Sequence, residues 1–358
     1  MNTCYRWCAP ILALLLPVAC AVAADTGTWP PIHDGLAFAW STAFEPAQAL
    51  DGDGKPRLGW QFTPKRHARL NHHGALVIDG GGFIAEGVSE WLGKAIATSG
   101  SCSVVLWIHP GAPAQQGTIL RLGDDAGISI SQIGTSILAA GSGANVEADL
   151  PEGGGPFALA LTVSEAGLAL YLNGAMQAET PPDTLATIGD TPPLTLGDPE
   201  GGSGWTGTVE GLAVYARALA PAEIETLAAA RADIVRARKP VSQLQVRARL
   251  AGKSTVMEPR DLAPYTQGLC VYRYEVLDVL AGDYAESHIH VAHWMVLDQT
   301  LLPFSGAEIG SEHALTLEFL DDNPQIASEN LSDDIVDDFS LPYYYDAGGC
   351  STAVAPKG

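Results

Sequence analysis

The chain has 358 residues, which is long enough for two domains that each bury a core of their own. Hydrophobic residues make up 47% and charged residues 17%, a globular composition that excludes an intrinsically disordered chain. The formal net charge is -22, so the protein would repel phosphates, and nucleic acid is excluded as an expected partner.

Residues 1–23 have the pattern of a signal peptide. Arg6 is their only charged side chain, and an apolar run over residues 9–20 follows it. That run is too short to span a bilayer stably, and it ends in small residues, with an Ala-X-Ala cleavage motif at residues 21–23. We therefore expect an exported chain that begins at Ala24, has no transmembrane span and resides in the periplasm or outside the cell.

The same segment allows a second interpretation. Residues 16–20 resemble a lipoprotein signal, in which Cys20 would be acylated and would anchor the mature protein to a membrane. Pro17 stands where such signals usually have Leu. The sequence leaves both forms of export open.

Residues 24–220 have the pattern of an all-β domain. Short runs rich in Val, Ile, Leu, Trp and Tyr alternate with clusters of Gly, Pro, Asp and Asn. The clearest pair of strands is residues 168–172 and residues 175–178, which flank Asn173 and Gly174. A type I′ turn needs positive φ at both of its central positions, and Asn-Gly supplies it, so this segment predicts a β-hairpin.

One helix is predicted over residues 221–240. Pro221 occupies a favourable first-turn position, and Glu223 lies near the positive end of the helix dipole. Pro240 ends the helix. We expect this helix to connect the first domain to a second one.

Residues 241–350 have the pattern of a second, smaller β-domain, and residues 351–358 form a tail. Residues 244–250 alternate between apolar and polar side chains, as a half-buried strand does. Four or five strands in about 100 residues fit a small barrel or a compact sandwich, and the sequence leaves these two open.

Three cysteines remain when the signal peptide is removed, namely Cys102, Cys270 and Cys350. An odd number leaves one thiol unpaired in an oxidising compartment. Cys270 and Cys350 lie in the same half of the chain and are the candidate disulfide. Cys102 would then be a buried free thiol in a strand.

Four segments of the first half, taken in order, resemble the concanavalin A-like lectin and glucanase superfamily, and within it the laminin G-type jelly roll. They are residues 75–81 (ALVIDGG), 103–110 (SVVLWIHP), 170–174 (LYLNG) and 207–224 (GTVEGLAVYARALAPAEI). The last of them, a strand followed by the start of a helix, is the most specific. The resemblance covers residues 30–228 and implies a jelly-roll β-sandwich of the lectin type.

The second half is similar, more weakly, to a module that accompanies such jelly rolls in secreted bacterial proteins. The similar segments are residues 264–265, 271–280, 291–294 and 341–344. Some of these proteins are found with polysaccharide O-acetylation systems, which implies a role near extracellular polysaccharide.

The superfamily also contains glycoside hydrolases and polysaccharide lyases. Its retaining hydrolases carry E-x-D-x-x-E on one strand, so that the acid and the nucleophile face the same cleft. The predicted strands have no such spacing, since Glu210 stands alone, and the chain has no G-x-S-x-G elbow. We therefore expect a protein that is not an enzyme.

The resemblance also implies a calcium site. Family members often hold a structural Ca2+ through carboxylate and carbonyl oxygens, and Asp79 and Glu210 occupy positions similar to the family's acidic ones. In the alternative interpretation, Asp79 only forms its turn and Glu210 pairs with an arginine. A zinc site at His288, His290 and His293 is not expected, because a site needs three convergent ligands.

Sugar binding would need an exposed aromatic face. The candidates are Trp205, which follows a Gly/Ser-rich loop, and Trp91. The alternative for Trp205 is that it only covers the edge of the sandwich.

Together these observations favour a secreted, non-catalytic carbohydrate-binding or scaffolding protein for extracellular polysaccharide. Two alternatives stay open. One is an adaptor that binds another exported protein, and the other is a polysaccharide-active enzyme with an unrecognised site.

Overall fold

A computed structural model describes residues 29–42, 47–124, 127–141, 143–181, 193–201, 204–239, 241–327, 329–335 and 341–348. The predicted signal peptide, Cys20, Cys350 and the predicted tail lie outside the described residues. None of the helices in the described ranges is long and apolar enough to cross a bilayer.

The first half consists almost entirely of short strands. In chain order they are β1 (Leu36–Ser41), β2 (Gln48–Leu50), β3 (Gln61–Arg66), β4 (Arg69–Leu70), β5 (Leu76–Ile78), β6 (Gly81–Glu86), β7 (Cys102–Pro110), β8 (Gln115–Leu122), β9 (Ile128–Gly134), β10 (Ser136–Gly141), β11 (Ala144–Asp149), β12 (Phe157–Ser164), β13 (Gly167–Leu172), β14 (Ala175–Thr180), β15 (Leu194–Gly197) and β16 (Gly207–Tyr215). Two helices, α1 (Ser89–Ser99) and α2 (Pro221–Ala237), accompany them in the described part of the chain.

These strands form two antiparallel sheets. The first has the order β14-β13-β12-β7-β16-β1-β2, with β5 paired to β16 and β4 paired to β5. The second has the order β11-β10-β9-β8-β15-β6-β3. Apolar side chains from both sheets share one core, as in a β-sandwich. The predicted jelly-roll sandwich is therefore confirmed.

The predicted hairpin is present. Leu172 on β13 pairs with Ala175 on β14, which leaves a two-residue loop. Asn173 and Gly174 both have positive φ, at 50° and 84°, as a type I′ turn requires.

Helix α2 lies on the outer face of the first sheet. Ile224 and Leu227 pack there against strand residues that include Ala213, and Trp29 donates a 3.1 Å hydrogen bond from Nε1 to the carbonyl of Leu227. The helix begins at Pro221, as the sequence predicts. The predicted connector is thus also a cover for the sandwich.

Helix α1 is an additional element, which has no counterpart among the predicted ones. It buries Leu92 and Ile96 on one face and ends at Gly100, whose φ of 66° suits a left-handed cap. It positions Trp91 in its first turn.

The second half contains a closed five-stranded barrel. The strands of this half are β17 (Gln243–Lys253), β18 (Gly268–Ala281), β19 (His288–Leu297), β20 (Thr300–Leu301), β21 (Glu312–Phe319), β22 (Asn330–Ser332) and β23 (Tyr343–Asp346), of which the short β20 and β22 lie outside the closed barrel. The barrel follows the order β19-β23-β21-β17-β18, and the pairing of β18 with β19 closes it. Of the two architectures that the sequence leaves open, the barrel is the one that forms.

Candidate functional site

Trp205 presents no face to solvent. Its side chain is 0% exposed, and its Nε1 donates a 2.8 Å hydrogen bond to Oε1 of Gln132 on β9. Gly117 on β8 leaves the necessary room, because a Cβ there would lie 2.1 Å from the backbone nitrogen of Trp205. The prediction of an exposed aromatic face at Trp205 is therefore wrong, since the ring packs into the sandwich core.

Trp91 does present an aromatic face, because its side chain is 43% exposed. Its Nε1 donates a 2.9 Å hydrogen bond to the carbonyl of Ala37, which fixes the edge of the ring. The half-buried ring of Trp60 lies beside it, with 6.1 Å between the ring centroids and 46° between the planes. We call Trp60, Trp91 and Arg57 the Trp60–Trp91 surface.

An aspartate turn orders the charged group of this surface. Oδ1 of Asp51 accepts 3.0 Å hydrogen bonds from the amides of Asp53 and Lys55, and Oδ2 accepts a 2.9 Å bond from Arg57. Burial opposes ionisation of Asp51, but these bonds and the arginine charge lower its pKa on balance. The Arg57 guanidinium then lies 5.8 Å from the centroid of Trp60.

The two candidate calcium ligands both face arginines. Oδ2 of Asp79 lies 3.7 Å from Nη1 of Arg69. Oε2 of Glu210 lies 2.6 Å from Nη1 of Arg238 and 3.7 Å from Nη2 of Arg231. The arginine pairing of Glu210 is the alternative that the sequence offered. No cluster of three or more His, Cys, Asp or Glu suited to a metal occurs among the described residues, and calcium stays a prediction.

The described cysteines, Cys102 and Cys270, are both buried. Burial raises the pKa of Cys102 to about 12 and that of Cys270 to about 11, so neither thiol ionises at neutral pH. The thiol of Cys270 lies 3.6 Å from the carbonyl oxygen of Thr255. Its predicted partner Cys350 and the predicted acylation site Cys20 lie outside the described residues, so both modifications stay predictions.

The barrel interior contains a hydrogen-bonded network of polar side chains. The hydroxyl of Tyr274 lies 2.9 Å from Nε2 of His293, whose Nδ1 lies 3.0 Å from Oδ2 of Asp346. These residue types could relay a proton, but all three side chains are at most 3% exposed. Phe304 packs against the imidazole at a centroid distance of 4.7 Å. A substrate cannot reach these side chains, and we assign the hydrogen-bonded network of Tyr274, His293 and Asp346 to the core of the barrel.

The outer face of the second sheet is open but carries no aromatic ring in its described strands. Its partly buried side chains include Ser129, Ser131 and Thr195, which are small and polar. They offer hydroxyl groups for hydrogen bonds but no surface on which a sugar ring could stack.

A cleft with a volume of about 400 Å3 lies between the sandwich and the barrel. The sandwich wall consists of Gln61, Phe62, Thr63, Pro64, Lys65, Arg69 and Leu70, and the barrel wall of Pro264, Tyr265, Thr266, Gln267, Trp294, Asp298, Gln325, Ile326 and Glu329. We call it the inter-domain cleft. No local sequence pattern predicts this cleft, because its walls come from segments about two hundred positions apart.

Polar contacts across the cleft join the two domains. Oδ2 of Asp298 accepts a 3.0 Å hydrogen bond from the amide of Arg66, and Oδ1 lies 3.8 Å from Nζ of Lys65. Nearby, Nδ1 of His72 lies 3.3 Å from Oε2 of the buried Glu318. Lys65 of the sandwich wall and Asp298 of the barrel wall are therefore charged groups held together across the cleft.

The described residues thus form a jelly-roll β-sandwich joined to a small β-barrel. Residues 91–225 match the family model described as the concanavalin A-like lectin/glucanases superfamily, of the laminin G type. The resemblance that the sequence motifs indicate is thus confirmed over this part of the chain. None of the curated proteins matches the sequence.

Solved structures with a similar course of the chain include binding domains and domains of enzymes. The binding domain of botulinum neurotoxin DC, solved with rat synaptotagmin II, is 11% identical at a TM-score of 0.44, over 79% of this chain and 74% of that one. Trypanosoma rangeli sialidase is 16% identical at a TM-score of 0.40, over 56% of this chain and 33% of that one. Domain 4 of AbnA, an extracellular arabinanase of Geobacillus stearothermophilus, was solved with arabinotriose. It is 20% identical at a TM-score of 0.39, over 54% of this chain and 98% of that one.

Proposed function

We propose that this protein is an exported, non-catalytic carbohydrate-binding protein that holds extracellular polysaccharide on the Trp60–Trp91 surface. The observation that carries the proposal is the exposed ring of Trp91 beside Trp60, with 6.1 Å between the ring centroids. The C–H face of a sugar ring is apolar, and it packs on an aromatic ring while its hydroxyls stay hydrated or bond to polar neighbours.

The surface is preorganised for such stacking. The hydrogen bond from Trp91 to Ala37 fixes one ring, and Phe38 supports the other at a centroid distance of 6.0 Å. Binding therefore costs little side-chain entropy, since neither ring has to be immobilised. Arg57 adds hydrogen-bond donors at the rim, held in place by Asp51.

A polysaccharide pull-down with the full chain tests the binding. We expect the parent protein to bind at least one neutral or acidic polysaccharide, and Trp91→Ala to weaken that binding about tenfold or more, because a lost aromatic contact costs roughly 0.5–1.5 kcal/mol in addition to the apolar area that it buries. The control variant is Ile309→Ala, which truncates another exposed apolar side chain, on a barrel turn. Equal binding by Trp91→Ala and the parent would contradict the proposal.

The non-catalytic part of the proposal has its own test. Prolonged incubation with the bound polysaccharide should release no new reducing ends and no unsaturated products. Measurable turnover that the purified chain alone sustains would favour the enzyme alternative.

Export is tested by the mass of the mature protein. The proposal expects a chain that begins at Ala24, or one that begins at an acylated Cys20 if the lipoprotein signal is used. A mature protein that retains residues 1–23 would contradict export by either route.

A further inference from the structure

The inter-domain cleft lies along the same edge strand as the Trp60–Trp91 surface. Strand β3 forms the edge of the second sheet, Trp60 immediately precedes it, and its residues Gln61–Lys65 line the cleft. The cleft volume of about 400 Å3 falls in the lower part of the range of roughly 300–1,000 Å3 that small-molecule sites occupy. A ligand of one or two sugar rings suits that space.

The barrel side of the cleft supplies aromatic rings. Tyr265 is 45% exposed, and Trp294 is 6% exposed with its Nε1 donating a 3.0 Å hydrogen bond to the hydroxyl of Tyr345. Trp294 is thus a fixed wall, while Tyr265 is free to pack against a ligand.

Two side chains in the cleft wall have oxygen atoms that accept no hydrogen bond from the described residues. In the described part of the chain, the carboxyl group of Glu329 makes no hydrogen bond or ion pair, and burial raises its pKa. Oε1 of Gln325 is buried and has no partner there either, although Nε2 of the same side chain bonds to Asn323 at 2.9 Å. An acceptor without a partner is costly, and a ligand that donates hydroxyl hydrogens would relieve that cost at Glu329 directly and at Gln325 once rotation of its amide turns Oε1 toward the cleft.

The charged groups of the cleft favour a neutral ligand. Lys65 lies near Asp298, and Arg69 lies near Asp79, at 3.8 Å and 3.7 Å. Both cations therefore already have acidic neighbours, while the carboxyl of Glu329 would repel an acidic sugar.

We propose that the inter-domain cleft is a second binding site, which takes a neutral mono- or disaccharide through Glu329, Gln325 and Tyr265. The class of ligand rests on the proposed function, whereas the location and the residues rest on the cleft itself.

Isothermal titration calorimetry of the full mature chain tests this site. The probes are maltose, cellobiose, lactose and xylobiose, with glucuronic acid as the acidic comparison. We expect one-to-one binding of at least one neutral probe and about tenfold weaker binding, or none, of glucuronic acid. Glu329→Ala and Gln325→Ala should each weaken binding of the neutral probe about tenfold, because each removes an acceptor. The exposed Asp322→Ala serves as the matched control and should bind like the parent.

Tyr265→Ala keeps the proposal testable if another variant does not fold, because Tyr265 is exposed and its replacement should not disturb the core. Loss of the ring should weaken binding of the neutral probe several-fold. Absence of binding by all four neutral probes, or unchanged affinity in the Glu329, Gln325 and Tyr265 variants, overturns the cleft site. Trp91→Ala should bind the disaccharide like the parent while losing the polysaccharide. These measurements therefore distinguish a failure of the cleft proposal from a failure of the proposed function.

Discussion

The side chain of Gln132 joins three segments at one edge of the sandwich. Its Oε1 accepts hydrogen bonds from Trp205 and Gln115, and its Nε2 donates to backbone carbonyls that include those of Pro113 and Gly134. The residue is 0% exposed, so water cannot replace these bonds.

Replacement of this glutamine should be strongly destabilising. We expect Gln132→Leu to lower the free energy of unfolding by about 2–4 kcal/mol, because it leaves the buried indole N–H of Trp205 without an acceptor. Urea denaturation followed by tryptophan fluorescence measures the change. Gln116→Leu, an exposed glutamine on β8, is the control and should change stability by less than about 0.5 kcal/mol. Similar losses in both variants would contradict this role of Gln132.

Trp205 and Trp91, the two candidates for sugar binding, show how far the local sequence predicts the exposure of a side chain. The Gly/Ser-rich segment before Trp205 indicates an exposed loop, yet Gln132 and Gly117 bury the ring from strands far away in sequence. Trp91 is exposed as the hypothesis requires. Local composition therefore predicts the presence of a loop, but burial is decided by tertiary neighbours that no local pattern contains.

The start of helix α2 is stabilised by one carboxylate. Glu223 accepts hydrogen bonds from Arg217 at 2.7 Å and from the amide of Ala220 at 2.8 Å. The arginine bond, followed by the backbone bond, lowers the pKa of Glu223 to about 2. Because the folded-state pKa is lowered, the stabilisation is fully present above the unfolded-state pKa and is lost as pH falls toward 2.

Glu223→Gln should remove part of this pH dependence. We expect a loss of about 1 kcal/mol at neutral pH and a flatter stability profile between about pH 5 and pH 2. Thermal unfolding measured across this pH range checks the expectation. Glu225→Gln removes the same charge from an exposed position of the same helix and should leave the slope of the profile unchanged. An identical slope in Glu223→Gln and the parent would refute the assignment.

Elements with strong local signals are those that the sequence predicts well. The Asn173-Gly174 hairpin and the Pro221 helix start both follow from backbone requirements that few residue types satisfy. Helix α1 was missed because it is short and contains Gly93. Of its three buried residues, Leu92, Gly93 and Ile96, only two carry a large apolar side chain, which is too few for a clear helical period.

At the scale of the whole molecule, the barrel and the sandwich could be anticipated, but their arrangement could not. Strand count and alternation limited the second domain to two architectures, and the pairing of β18 with β19 selects the barrel. The inter-domain cleft depends on how two separately folded units dock. Since Gln61 and Glu329 are unrelated in the sequence pattern, no motif marks the cleft.

A small set of polar contacts holds the two domains in this arrangement. Asp298 bonds to the amide of Arg66, and Glu318 lies 3.3 Å from His72. Burial opposes ionisation of Glu318, but its hydrogen bonds lower its pKa on balance, so the stabilisation by this carboxylate is lost only as pH falls below the usual range of a glutamate. Polar interfaces of this kind permit relative domain motion when their contacts are removed.

The double variant Asp298→Ala with Glu318→Gln should therefore loosen the docking without unfolding either domain. We expect a larger radius of gyration in small-angle scattering and faster tryptic cleavage after Arg238, which follows helix α2. The cost in docking free energy should be about 1–2 kcal/mol, since exposed ion pairs contribute little and the buried Glu318 contributes more. Asp283→Ala, an exposed acid of the barrel, is the control. If scattering and cleavage match the parent in the double variant, these contacts do not hold the domains together.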